Sequence, residues 1–118
     1  GDRFRVGSNT KTVTATLVLQ QVADKRIGLD DTVEQWLPGL VKGGKDITVR
    51  MLLNHTSGIA DYGYALWSKP EDLETGRFHH HDPRKLARLA LAAPPMGKPG
   101  EAHHYANANY VIAGLLLR

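Results

Sequence analysis

The chain has 118 residues, a net charge of +3 and no cysteine, with 42% hydrophobic and 23% charged residues. That length bounds it to one domain with a modest core, the composition excludes a disordered chain, and the missing cysteines exclude disulfides and thiolate metal sites. Scattered basic residues without a run of five argue against a nucleic-acid partner, and no apolar run nears the length of a membrane span.

No internal repeat or low-complexity tract is visible, and the chain reads as short helices joined by turn-rich loops. Residues 3–6 alternate in polarity and suggest one short strand. Ser8 opens a first helix to about Lys25, with Val13, Leu17, Val18 and Val22 as its apolar stripe and Gly28 as its stop. Asp31 reads as the cap of a short helix ending at Leu37, since Pro38 disfavours helix in the residue before it. Residues 42–45 form a loop, and Thr48 caps a helix through Met51, Leu52 and Leu53 that breaks near Gly58. Residues 59–81 read as mostly irregular. Asp82-Pro83 marks a strong helix start with Leu86, Leu89, Ala90 and Ala93 on its apolar face, ended by Pro94-Pro95. A last helix starts near Asn107 and runs through Tyr110, Val111, Leu115 and Leu117 with no stop signal. Its apolar end suggests a truncated chain, whose Leu115 to Leu117 need cover from other segments or from self-association.

The residues with chemical potential begin at Gly7-Ser8-Asn9-Thr10-Lys11. Residues three apart share a helix face, so a lysine amine at position 11 can reach the oxygen of Ser8 and make a weak alcohol nucleophile reactive without histidine. Of the three serines, Ser8, Ser57 and Ser68, only Ser8 has this partner, and it stands at a helix N-terminus that favours developing negative charge. Read alone, the pair fits a helix cap with a solvated lysine better than it fits a nucleophile.

Tyr105-Ala106-Asn107, after the turn Pro99-Gly100, changes that balance. With the Ser8 to Lys11 motif it resembles the serine β-lactamase and D-alanyl-D-alanine peptidase superfamily, in the branch of class C β-lactamases, serine carboxypeptidases and related esterases. The text between also resembles that branch, in the expected order: residues 27–33 followed by Trp36-Leu37-Pro38, and the distinctive stretch from Ile47 through Asn54-His55-Thr56-Ser57-Gly58 to Ile59. The resemblance implies a mainly α chain, residues 1–118, corresponding to the helical part of an α+β β-lactamase/transpeptidase-like domain, with the antiparallel sheet mostly absent. It implies Ser8 as nucleophile, Lys11 as its activating cation, Tyr105 as base, and Asn107 as a ligand of both substrate and Lys11. Tyr62 and Tyr64 are expected to contact substrate, because the corresponding segment of related enzymes approaches the cleft. The expected substrates are β-lactams, D-Ala-D-Ala peptides or small esters, with no cofactor, no metal and a secreted or cell-envelope location.

Two departures limit the resemblance. Ala106 stands where the family usually has serine, and the third motif, a lysine- or histidine-led strand ending in glycine, has no match after residue 107. The isolated chain is therefore expected to be weakly active, and a non-catalytic binding or scaffold homologue is the competing reading. His55 is expected to be architectural. The histidines at 79–81 and at 103 and 104 lack the i, i+4 spacing of a helical zinc pair and read as surface loops.

Overall fold

The computed structural model describes all 118 residues. Helix α1 spans Asn9–Ala23, α2 Val33–Trp36, α3 Val49–Leu53, α4 Gly63–Leu66, α5 Pro70–Gly76, α6 Pro83–Ala92 and α7 Asn107–Leu115, with one 3₁₀ turn at Gly44–Asp46. Residues 3–6 carry no strand, and the sole β pairing is an isolated antiparallel bridge between Thr32 and Thr48. The expected strand has no neighbouring strand to supply its hydrogen bonds.

Local chemistry sets most helix ends. Thr48 caps α3 by accepting from the Met51 N–H, and the Asp82 carboxylate caps α6 by accepting from the Lys85 N–H, with Pro83 in the first turn. Two ends differ from expectation. Thr32, not Asp31, caps α2, in a reciprocal box with Gln35. The Asp31 carboxylate instead accepts from the Gly28 N–H at 2.6 Å and the Trp36 indole N–H at 3.1 Å. Nor does Gly28 stop α1. Lys25 takes φ 57°, its N–H reaching the Val22 carbonyl while the Arg26 N–H reaches that of Gln21. This closes the helix with a Schellman-type turn built on a lysine.

The stretch 59–81 is more ordered than its composition suggests. It forms α4 and α5, the latter opened by Pro70 and by Asp72, whose carboxylate accepts from the Lys69 N–H at 2.9 Å. Neither helix buries a residue, so no apolar stripe announces them.

The core gathers around α7, which packs against α1, α3 and α6. Ile112, Ala108 and Ala113 of α7 meet Val18 of α1, Val49 and Leu52 of α3, and Ala87 and Ala90 of α6 in one buried cluster. The buried face of α6 is thus Ala87 and Ala90 rather than a stripe running to Ala93, which is exposed. Small residues there let two helices approach closely. Leu115 is buried and Leu116 and Leu117 pack against the same cluster, so the chain itself covers most of this apolar end. The α1 stripe is less covered: Val18 alone is buried, Val22 packs at the margin, and Val13 and Leu17 stay 60% and 44% exposed.

Candidate active site

Gly7 turns the chain into α1 with φ 57°, a left-handed conformation that glycine adopts without a Cβ penalty. Ser8 follows at the N-cap position in a helical conformation, and its side chain makes no capping bond. The hydroxyl is left for tertiary contacts. Ser8 Oγ lies 2.8 Å from Tyr105 Oη, and Lys11 Nζ donates to the same Oγ at 3.1 Å. Lys11 Nζ also donates to Asn107 Oδ1 at 2.6 Å, and stands 4.8 Å and 5.9 Å from the ring centres of Tyr105 and Tyr110. Serine, lysine, tyrosine and asparagine from opposite ends of the sequence therefore meet around one hydroxyl.

The turn at residues 54–59 carries Tyr105 to this point. Three backbone bonds join it to the loop that precedes α7: His104 N–H to the His55 carbonyl, Gly100 N–H to Thr56, and Met96 N–H to Gly58, at 2.7–2.8 Å. Gly58 has φ 74°, and a Cβ there would stand 2.2 Å from the Gly97 carbonyl oxygen, so only glycine fits the approach. The buried His55 ring lies 4.5 Å from that of Tyr105. Its Nδ1 accepts from the Ala106 N–H at 3.3 Å and faces Asn109 Nδ2 at 3.1 Å, while Asn109 Oδ1 accepts from Ser57 Oγ at 2.5 Å. This buried chain of bonds sits beneath the site and does not open into it, in keeping with an architectural His55. Burial holds the imidazole below its ordinary pKa, assisted by His103 and by the Lys11 charge.

The surroundings of Tyr105 lower its pKa. The Lys11 ammonium, and next the Ser8 hydroxyl, hold its phenol below the usual tyrosine range, against a raising effect of Asp61. Tyr62 and Tyr110 are pushed the other way, chiefly by burial. Tyr105 is thus lowered where Tyr62 and Tyr110 are raised, the direction that suits a phenol to proton transfer.

A cleft of about 330 Å³ opens over Ser8 and Lys11, lined among others by Thr14, Tyr62, Trp67 and Asn107. Tyr62 and Trp67 meet edge to face with ring centres 6.2 Å apart. Tyr64 points away from the cleft, 88% exposed and absent from its lining, so of the two expected tyrosines the structure brings only Tyr62 to the cleft. Trp67 lines the cleft as well, and Asp61 joins the site without having been singled out by its residue pattern. Asp61 Oδ2 accepts from both the backbone N–H and the Nδ2 of Asn107, at 2.6 and 2.9 Å. Its segment was placed near the cleft by resemblance, but a lone carboxylate at position 61 has no local pattern that marks it.

Comparisons with known proteins bear on the family and the fold. The family model described as Beta-lactamase matches residues 1–118. A penicillin-binding protein of Bacillus subtilis is 41% identical over 119 residues, covering 97% of this chain and 24% of the relative. Protein flp of Staphylococcus aureus is 28% identical over 120 residues, covering 98% of this chain and 23% of the relative. A D-stereospecific amidohydrolase from Streptomyces superposes with a TM-score of 0.89 at 46% identity, covering 98% of this chain and 36% of that one. A D-amino acid amidase from Ochrobactrum anthropi superposes with a TM-score of 0.82 at 25% identity, covering 97% and 31%. The chain thus spans about a quarter of the length of these relatives and about a third of these structures. Its helices match the helical portion of the β-lactamase-like fold, and with every residue covered by that family model, the chain belongs to the Beta-lactamase family.

Proposed function

We propose that the chain carries the nucleophile half of an acyl-transfer site, one part of a larger β-lactamase-like domain. The observation that carries this is the sharing of Ser8 Oγ between Tyr105 Oη at 2.8 Å and Lys11 Nζ at 3.1 Å. The Ser8 proton passes to the Tyr105 phenolate as Oγ bonds to the substrate carbonyl carbon. Lys11 keeps Tyr105 acidic and steadies Oγ by a charge-assisted bond. The Ser8 N–H, which donates to no backbone carbonyl, serves the developing oxyanion. Collapse of the tetrahedral species expels the leaving group, an amine taking its proton from Tyr105, and water then releases the acyl group from Ser8. Asn107 presents its amide to the substrate beside Lys11.

The substrates proposed are β-lactams, D-Ala-D-Ala peptides and esters, to which the amidohydrolase and amidase neighbours add amides of D-configured acids. A secreted or cell-envelope location goes with such substrates. The test is intact-mass labelling with a fluorescent penicillin and with a fluorophosphonate. It is run on the chain alone and joined to the flanking sequence of its gene, each with Ser8→Ala as control. One adduct that disappears in Ser8→Ala supports the reading. Absence of a Ser8-dependent adduct in both forms overturns it in favour of a non-catalytic binding homologue.

A further inference from the structure

Helix α7 begins without a cap of its own, because Ala106 stands at the N-cap position and offers no side-chain acceptor. The acceptor comes from 46 residues upstream, where Asp61 Oδ2 receives the Asn107 backbone N–H at 2.6 Å and the Asn107 side-chain Nδ2 at 2.9 Å. The other carboxylate oxygen, Oδ1, is fixed by the Gly63 N–H at 2.7 Å. A carboxylate only accepts and an ammonium only donates, which leaves the Asn107 amide one orientation between them. Its NH₂ faces Asp61 and its Oδ1 faces Lys11 Nζ at 2.6 Å. The flipped amide would set oxygen against carboxylate and NH₂ against ammonium.

We propose that Asp61 is the positioning residue of this site: by clamping Asn107 from two sides it sets where the Lys11 ammonium stands against Ser8 Oγ and Tyr105. Its consequence for rate rests on the acyl-transfer reading; its geometry does not. The sequence of contacts runs from Asp61 to Asn107, to Lys11, and on to the Ser8 hydroxyl shared with Tyr105.

The sign of one titration tests it. The groups facing Tyr105 are Lys11, His55, Asp61, Ser8 and the tyrosines at 62 and 110. The Asp61 charge by itself raises the Tyr105 pKa, so its bare removal would lower that value. A relay through Asn107 predicts the reverse, since a loosened Lys11 no longer stabilises the phenolate. The experiment is tyrosinate absorbance against pH for the wild-type chain, Asp61→Asn, Asn107→Ala and the double variant. Each is read as the difference from its Tyr105→Phe partner. The expected result is an upward shift of the Tyr105 midpoint in both single variants, with Asp61→Asn adding no upward shift in the Asn107→Ala background. A downward or absent shift in Asp61→Asn, or a full upward shift added to that of Asn107→Ala, overturns the proposal. Where Asp61→Asn loses helical circular dichroism, Asp61→Asn/Ala106→Ser, which supplies a cap from the chain itself, is read in its place by the same criteria. Where wild type labels at Ser8, Asp61→Asn is expected to slow labelling roughly tenfold or more, the scale of a misplaced catalytic group, and an unchanged rate overturns the proposal. A wild type that takes no label defeats the acyl-transfer reading alone, and the titration still decides the role of Asp61.

Discussion

Helices α1 and α7 supply the two halves of the site, and they are held in opposite ways. Five of the nine residues of α7 are buried, whereas α1, with fifteen, buries Val18 alone. The tyrosine and asparagine therefore sit at the start of an element locked into the core. The serine and lysine ride on one that the core grips at buried Val18 and marginally at Val22, with further purchase at its first turn through Tyr105 and Asn107. The rigid half presents Tyr105 and Asn107, and Ser8 and Lys11 are brought to them by polar contacts at one helix end.

The sharpest way to break this contrast is inside α7. Ile112 is fully buried, and Ile112→Ala is expected to cost about 2–5 kcal/mol through lost burial and a residual cavity. Urea denaturation read by circular dichroism checks it, and a loss no larger than that of a surface substitution would remove α7 as the rigid partner.

A smaller effect comes from the buried His55 beneath Tyr105. Its folded-state pKa lies below the ordinary value of 6.5, so the unfolded chain binds the proton more readily. The stability this contributes is present above pH 6.5 and declines as pH falls below it towards the folded-state value. His55→Asn keeps a residue tolerant of the φ of 60° found there and cannot titrate, so the urea midpoint of that variant should lose much of the decline between pH 7 and pH 5. An equal decline in both proteins would assign the pH dependence elsewhere.

The smallest effect is expected on the exposed stripe of α1. Leu17→Ser should change the stability of the chain by no more than about 0.5 kcal/mol, since its side chain is already 44% exposed. A loss approaching that of Ile112→Ala would show that α1 is held as firmly as α7.

What could be read from the sequence follows the range of the interaction. Thr48 and the pair Asp82-Pro83 start helices through bonds to residues three positions on, and both were legible. Thr32 and Gln35 form an equally local capping box, but the carboxylate of Asp31 next door is as good a cap by residue type, and only the fold engages it elsewhere. In α5 the signal was present in Pro70 and Asp72, yet an element that buries nothing has no periodic stripe to confirm it. The meeting of Ser8, Lys11, Tyr105 and Asn107 was expected from resemblance to a family, because no local pattern joins residues 97 positions apart. For Asp61 the resemblance placed only its segment near the cleft and assigned the carboxylate no role, its partner lying 46 residues away in a helix start whose own cap residue is an alanine.

That separation of 97 residues between Ser8 and Tyr105 also sets an order of events during synthesis. A ribosome that has reached residue 100 has already delivered Ser8 and Lys11, but neither Tyr105 nor Asn107. Until the segment leading into α7 has emerged and docked, Ser8 lacks its Tyr105 contact and Lys11 its Asn107 contact. A nascent chain stalled before Tyr105 therefore carries Ser8 and Lys11 without the phenol and the amide that meet them in the folded structure.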